Sequence, residues 1–269
     1  MVCDSRGMTD PSDAVHDEQV ADEEYLLLET HSWGTSHVGT RWRTFLFKAE
    51  SWRREWIPGD RRRDWLSENE STGVREWLAG SEKRAIANGF GEFVAPRPGG
   101  RRRAAGGEYH GPIEGSWQTP TPTFLAALPR DPGQLYQRLC ADSPAGRAGY
   151  VGPFVYAVDA LRTGLVPADL RAALYRALRS VPGLTVVPDA ANPDGTPAIA
   201  LRLDHSPRRS EVFVDPVTGQ FIGERETCIA DVRHGLGFAL RAGWVLRSSA
   251  VTRAVVDGIG VRRGGATIG

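Results

Sequence analysis

Tryptophan side chains in the N-terminal half are the residues whose type and spacing best suggest a binding function. The five candidates are Trp42, Trp52, Trp56, Trp65 and Trp77. A tryptophan ring is large, mostly apolar and polar at one edge, so several rings together can line a groove for an apolar small molecule, a lipid or a peptide. The same rings can instead form the core of a sheet. The sequence therefore predicts either a ligand groove or a tryptophan-rich core in this half.

Histidines are the next candidates, because a histidine can act as a general base or bind a metal ion. His31 and His37 can meet across a hairpin, and together with His234 they could contribute to a hydrolase site assembled from distant residues. However, the chain contains no Gly-x-Ser-x-Gly nucleophile elbow, no cysteine or histidine pair spaced for zinc and no glycine-rich phosphate loop. We therefore predict no catalytic residue, no metal site and no cofactor, and we predict that the chain is not an enzyme.

The formal net charge is zero, because the chain has 33 lysines and arginines and 33 aspartates and glutamates. Without a net positive field, we expect no nucleic-acid partner. The arginine runs at 61–63 and 101–103 suggest phosphate contacts or, alternatively, solvated loops. Glu224 and Glu226 share one strand face, which predicts a solvated surface.

Three cysteines are too few for a dense disulfide framework. Cys140 and Cys228 can pair with each other, but the sequence favours buried free thiols at both positions.

Composition divides the chain into segments. Residues 1–23 are acidic and poor in apolar side chains, which predicts a disordered tail, and residues 261–269 are assigned to a second tail. Between them, 24–260 is predicted to form a single domain, with subdomains 24–120 and 121–260 as the alternative. The acidic start does not resemble a signal peptide, and no apolar stretch is long enough to span a membrane.

The N-terminal half has the pattern of antiparallel strands. Strands are predicted at 25–33, 40–57, 63–69 and 74–78. In the second of these, aromatic residues occur first at odd and then at even positions. This change requires either a bulge near residues 49–50 or partial burial of both faces. Residues 80–122 are predicted to be irregular, with a flexible basic loop at 96–107.

Helix signals follow between residues 131 and 181. Asp131, Pro132 and Gln134 form an N-cap pattern, and an apolar stripe that includes Leu170 and Leu174 predicts a later helix whose arginines point away from the core.

Strands close the sequence from residue 184 to residue 256. A turn is predicted between two of them, because Asp215 can accept hydrogen bonds from the turn backbone, Pro216 fixes φ and Gly219 can adopt a left-handed conformation. These elements predict an α+β fold. We expect a curved, half-barrel-like antiparallel sheet of about eight to ten strands with two or three helices on one face.

Five segments in the C-terminal half carry a resemblance to a known family. They lie at residues 154–159, 165–178, 181–187, 192–195 and 215–225. In this order they resemble an actinobacterial family of uncharacterised proteins known only by a locus placeholder name. The resemblance implies a single-pass membrane anchor with this domain outside, and genes next to extracytoplasmic-function sigma factors. It implies no catalytic residues.

This chain departs from the family pattern, because the cytoplasmic segment and membrane helix are missing from the sequence. The localisation is therefore left open. The expected function is a non-catalytic, envelope-type sensor or interaction domain, with an apolar small molecule, a lipid, a peptide or a sigma or anti-sigma pathway protein as its partner. The alternatives are a hydrolase and a structural scaffold fragment.

Overall fold

The computed structural model describes residues 11–12, 15–40, 43–143, 151–233 and 238–262. The strands are β1 (Tyr25–Thr40), β2 (Arg43–Pro58), β3 (Asp64–Ala79), β4 (Gly100–Ala105), β5 (Leu184–Ala191), β6 (Pro197–His205), β7 (Arg208–Val214), β8 (Phe221–Cys228), β9 (Val232–Arg233), β10 (Ala239–Leu240) and β11 (Val245–Val256). The helices are α1 (Glu82–Ala87), α2 (Gly91–Val94), α3 (Pro122–Ala127), α4 (Pro132–Asp142), α5 (Val151–Arg162) and α6 (Ala168–Leu178).

The predicted α+β class with a large antiparallel sheet is confirmed. Nine strands hydrogen-bond in the order β4-β3-β2-β1-β11-β8-β7-β6-β5, and β9 pairs with β10 separately. In the described part of the chain, no helix has the length and apolar character needed to cross a membrane.

The chain forms two compact units. The first draws its described residues from the ranges 1–19, 111–205 and 210–224, and the second from 20–110, 206–209 and 225–269. The choice between one domain and two subdomains stays a prediction.

In the second unit, β1 and β2 pair without interruption from Tyr25 opposite Pro58 to Thr40 opposite Arg43. Side chains of β2 therefore alternate strictly between two faces. The odd positions include Phe47, which packs in a cluster with Val38, whereas the even positions include the fully buried Trp56. Both faces of β2 are therefore covered, which is one of the two alternatives that the change from odd to even aromatic positions allowed.

The irregularity expected near residues 49–50 lies on the neighbouring strand. β3 pairs Arg75 with Ala49 but Ser71 with Ser51, so three residues of β3 lie opposite Glu50. This bulge interrupts one continuous strand, which is why the sequence pattern predicted two shorter strands at 63–69 and 74–78.

The predicted flexible loop at 96–107 is wrong, because β4 pairs with β3 inside it. Arg101 Nε lies 3.3 Å from Glu68 Oε2, and Arg103 Nε lies 2.8 Å from Asp64 Oδ2. Opposite charges across neighbouring strands stabilise the pairing, so an arginine run that looks like a loop forms an edge strand.

Two short helices, α1 and α2, lie in the region predicted to be irregular, and α3 begins at its last residue. Ser81 accepts a hydrogen bond at the start of α1 from the backbone nitrogen of Arg84, and Thr121 does the same for α3, with Pro122 in its first turn. These cap signals are present in the sequence.

The first unit contains the predicted helices. The Asp131 side chain accepts a hydrogen bond from Gln134 N and caps α4, while Leu170 and Leu174 of α6 are fully buried. Between β7 and β8, Asp215 Oδ1 accepts hydrogen bonds from the backbone nitrogens of the next turn residues, and Gly219 has φ of 64°.

Arg171 of α6 is only 2 % exposed, so the prediction that the arginines of this helix point away from the core is wrong at this position. Its Nη1 donates a hydrogen bond of 2.7 Å to Asp17 Oδ1, and its Nη2 donates to the carbonyl of His16. Asp17 Oδ2 also accepts from Ala168 N at the start of α6. Disorder of the 1–23 segment is therefore wrong at residues 16 and 17. Residues 1–10, 13–14 and 263–269 of the predicted tails lie outside the described residues.

Candidate functional site

A cavity of about 390 Å³ lies in the second unit. Four apolar side chains contribute to its lining: Leu46, Phe238, Leu240 and Leu246. Leu46, Leu240 and Leu246 are at most 5 % exposed and belong to one core cluster with the buried Cys228. The apolar part of the lining is therefore held in place by core packing.

Strand alternation explains how β1 and β2 contribute to this cavity. Thr35 and His37 occupy odd positions of β1, and His37 is directly opposite Leu46 of β2, so these side chains share one face. The Thr35 hydroxyl donates a hydrogen bond to the Leu246 carbonyl of β11. The His37 ring lies 5.6 Å from the Phe238 ring, which places an imidazole at the aromatic side of the cavity.

Three charged side chains also line the cavity. Glu226 of β8 accepts a hydrogen bond of 2.7 Å from Arg208 Nη1 at the start of β7. Arg247 Nη2 lies 3.9 Å from the other carboxylate oxygen of Glu226. The Glu226 side chain is 11 % exposed, whereas Arg208 and Arg247 are 42 % and 56 % exposed. A mostly buried carboxylate is thus flanked by two more exposed guanidinium groups.

Apolar and charged side chains meet around one cavity here, a feature that small-molecule binding sites share. Protein ligand pockets of roughly 300–1,000 Å³ are typically lined by apolar side chains with a few polar groups that orient the ligand. Sequence reasoning missed Arg208, Glu226 and Arg247, because they lie on different strands and form no local motif. Glu226 was predicted to lie on a solvated strand face, which is wrong because its side chain is buried beside Arg208.

Among the described residues, none of the predicted tryptophans lines this cavity. Strand register places Trp52 and Trp56 on one face of the sheet formed by β1, β2 and β3. Trp77, opposite Phe47, lies on the other face. Trp65 also lies on the second face, because its neighbour Leu66 is opposite Trp56. Trp42 lies outside the described residues.

Each described tryptophan contacts its own neighbours. Trp56 Nε1 donates to the Val261 carbonyl at 2.6 Å, and the Trp77 ring lies 4.9 Å from the Phe47 ring. Trp52 stacks on His31 at 4.6 Å, and Trp65 Nε1 donates to the carbonyl of Arg61. Ligand contact by these tryptophans stays a prediction.

His31 belongs to a separate polar cluster. Its Nε2 lies 2.8 Å from Glu50 Oε1, while Glu50 Oε2 accepts a hydrogen bond of 2.6 Å from the Thr72 hydroxyl. The hydrogen bond from Thr72, followed by the one from His31, lowers the pKa of Glu50 below its ordinary value of 4.5. This geometry gives a carboxylate that stays ionised in mild acid.

A histidine–serine contact occurs elsewhere, in the first unit. His205 Nε2 lies 2.9 Å from Ser210 Oγ, across the connection between β6 and β7. Neither residue lines the cavity described above. His234 lies outside the described residues, so the hydrolase alternative stays a prediction.

Other reactive side chains are dispersed. Within the described ranges, no three histidine, cysteine, aspartate or glutamate side chains form a group that could hold a metal ion. Cys140 and Cys228 are free thiols, but only Cys228 is buried, so the prediction of two buried thiols is wrong for Cys140.

Comparison with protein-family models, with curated proteins and with solved structures gave no match to this chain. The actinobacterial family resemblance therefore stays a prediction.

Proposed function

We propose that this chain is a non-catalytic binding domain that takes an apolar small molecule in the cavity of its second unit. The observation that carries the proposal is the cavity of about 390 Å³, whose lining combines four apolar side chains with two polar and three charged ones. Because a water molecule takes about 30 Å³ of liquid volume, the space would hold roughly a dozen waters or one organic molecule of similar bulk. Release of such water from an apolar surface favours ligand binding.

The proposed role as an envelope sensor or as a partner of a sigma or anti-sigma protein rests on the sequence resemblance. In that role, the bound molecule would be the signal. A hydrolase receives less support, because His205 and Ser210, on β6 and β7, do not line this cavity.

Titration of the full chain with the uncharged fluorescent probe N-phenyl-1-naphthylamine tests the proposal. We expect saturable fluorescence enhancement with one site per chain. Thr35→Phe should place an aromatic ring on the cavity face of β1 and weaken probe binding by about tenfold or more, which corresponds to about 1.4 kcal/mol.

Ser36→Phe is the matched control, since Ser36 is exposed and follows Thr35 on the opposite face of β1. The control variant should bind the probe like the wild type. Equal affinity in Thr35→Phe and the wild type would show that the probe does not use this cavity. Absence of saturable binding in the wild type would overturn the proposed function.

A further inference from the structure

The charges beside the cavity indicate what kind of apolar molecule it takes. Arg208, Arg247 and Glu226 together carry a net charge of one positive unit, because two guanidinium groups face one carboxylate. Arg208 approaches that carboxylate at hydrogen-bonding distance, 2.7 Å. Arg247 lies 3.9 Å from it, beyond normal hydrogen-bond length.

Arg247 is therefore the group best placed to accept a ligand. Its side chain is 56 % exposed, yet it lines a cavity whose leucines are almost fully buried. A planar guanidinium can bind a carboxylate through two parallel hydrogen bonds, and such charge-assisted bonds are stronger than neutral ones. Glu226 would disfavour a second anion close to Arg208, which directs a ligand carboxylate towards Arg247.

We propose that the ligand is an amphipathic carboxylate, such as a medium-chain fatty acid. Its hydrocarbon chain occupies the cavity beside Phe238, and its carboxylate binds Arg247. This inference rests on the proposed function, and it specifies that the bound molecule carries a carboxylate group. A cationic amphiphile is the wrong ligand, because its head group would meet two arginines.

Calorimetric titration of the full chain with decanoate, 1-decanol and decylammonium tests the inference at neutral pH. The three probes have the same chain length and differ in head-group charge. We expect decanoate to bind about tenfold more tightly than decanol, since a hydrogen bond to a charged group contributes at least about that factor. Decylammonium should bind more weakly than decanol.

Arg247→Gln should weaken decanoate binding by about tenfold and leave decanol binding unchanged within about twofold. Arg53→Gln is the matched control, because the Arg53 side chain is also 56 % exposed and lies on β2 in the same unit. The control should leave the affinity for all three probes unchanged. Equal affinity for decanoate and decanol, or equal loss of both in Arg247→Gln, would overturn the inference. Saturable binding of N-phenyl-1-naphthylamine in that case would leave the proposed function standing.

Discussion

Asp17→Asn tests whether the N-terminal segment is a structural part of the first unit. The Asp17 carboxylate accepts hydrogen bonds of 2.8 Å from Ala168 N and 2.7 Å from Arg171 Nη1. It therefore caps α6, whose own N-cap residue, Pro167, makes no side-chain capping hydrogen bond. Asparagine has the same shape and retains one acceptor oxygen, but it loses the negative charge.

The expected loss of stability depends on the burial of Asp17 and on the hydrogen-bond acceptors that Arg171 retains. A hydrogen bond to a charged group contributes about 1.5–3 kcal/mol to stability. The Asp17 side chain is 49 % exposed, so solvent screening reduces this value. Arg171 keeps the carbonyl groups of Val166 and His16 as acceptors and is not left without partners. We therefore expect a loss of about 1–2 kcal/mol. In a domain of about 150–250 residues, that loss lowers Tm by about 2–8 °C.

Thermal unfolding followed by circular dichroism measures the change in Tm, and hydrogen exchange shows where protection is lost. In Asp17→Asn, exchange should accelerate at the first turn of α6, where Ala168 N donates to Asp17. Glu18→Gln is the control, because Glu18 is an exposed neighbour in the same segment. Wild-type Tm and wild-type exchange in Asp17→Asn would show that Asp17 does not stabilise the first unit. An equal loss in both variants would assign the effect to net charge.

Two further predictions concern single side chains. The pKa of Glu50 is lowered in the folded chain, so its ionisation stabilises the fold above pH 4.5 and this contribution is lost as pH falls through the lowered pKa. Thr72→Val removes the largest cause, so NMR titration of the Glu50 carboxyl should give a higher midpoint than in the wild type; an unchanged midpoint would contradict the described hydrogen bond. For the thiols, mass spectrometry after brief iodoacetamide treatment of the folded protein should show Cys140 alkylated and Cys228 protected, because only Cys140 is exposed. Rapid alkylation of both would show that the core around Cys228 opens readily.

Local sequence patterns predicted the helices and turns whose stabilising contacts join residues close in the sequence. Asp131 caps the helix that begins at the next residue, and the apolar spacing of α6 identifies its buried leucines. The turn that begins at Asp215 depends on contacts within three residues and on the left-handed backbone of Gly219. The caps at Ser81 and Thr121 have the same local origin, although the surrounding loop-like composition obscured them.

Strand positions were less fully determined by the sequence. The alternation in β1 and β2 is visible in the residues, but the bulge lies on β3, opposite Glu50, and depends on how two strands pair. Similarly, the arginines of β4 form a strand because Arg101 and Arg103 make ion pairs with Glu68 and Asp64 of β3. Neither strand pattern alone contains this information.

The α+β class, the main helices and the turn at residues 215–219 follow from short-range signals, because backbone propensity, capping and hydrophobic period act over a few residues. The burial of Arg171 depends on long-range packing, since its partner Asp17 is 154 residues away in the chain. The candidate site also depends on long-range packing, because Arg208, Glu226 and Arg247 meet from three strands. Such a site arises from long-range register and side-chain packing, so its residues carry no common spacing in the sequence.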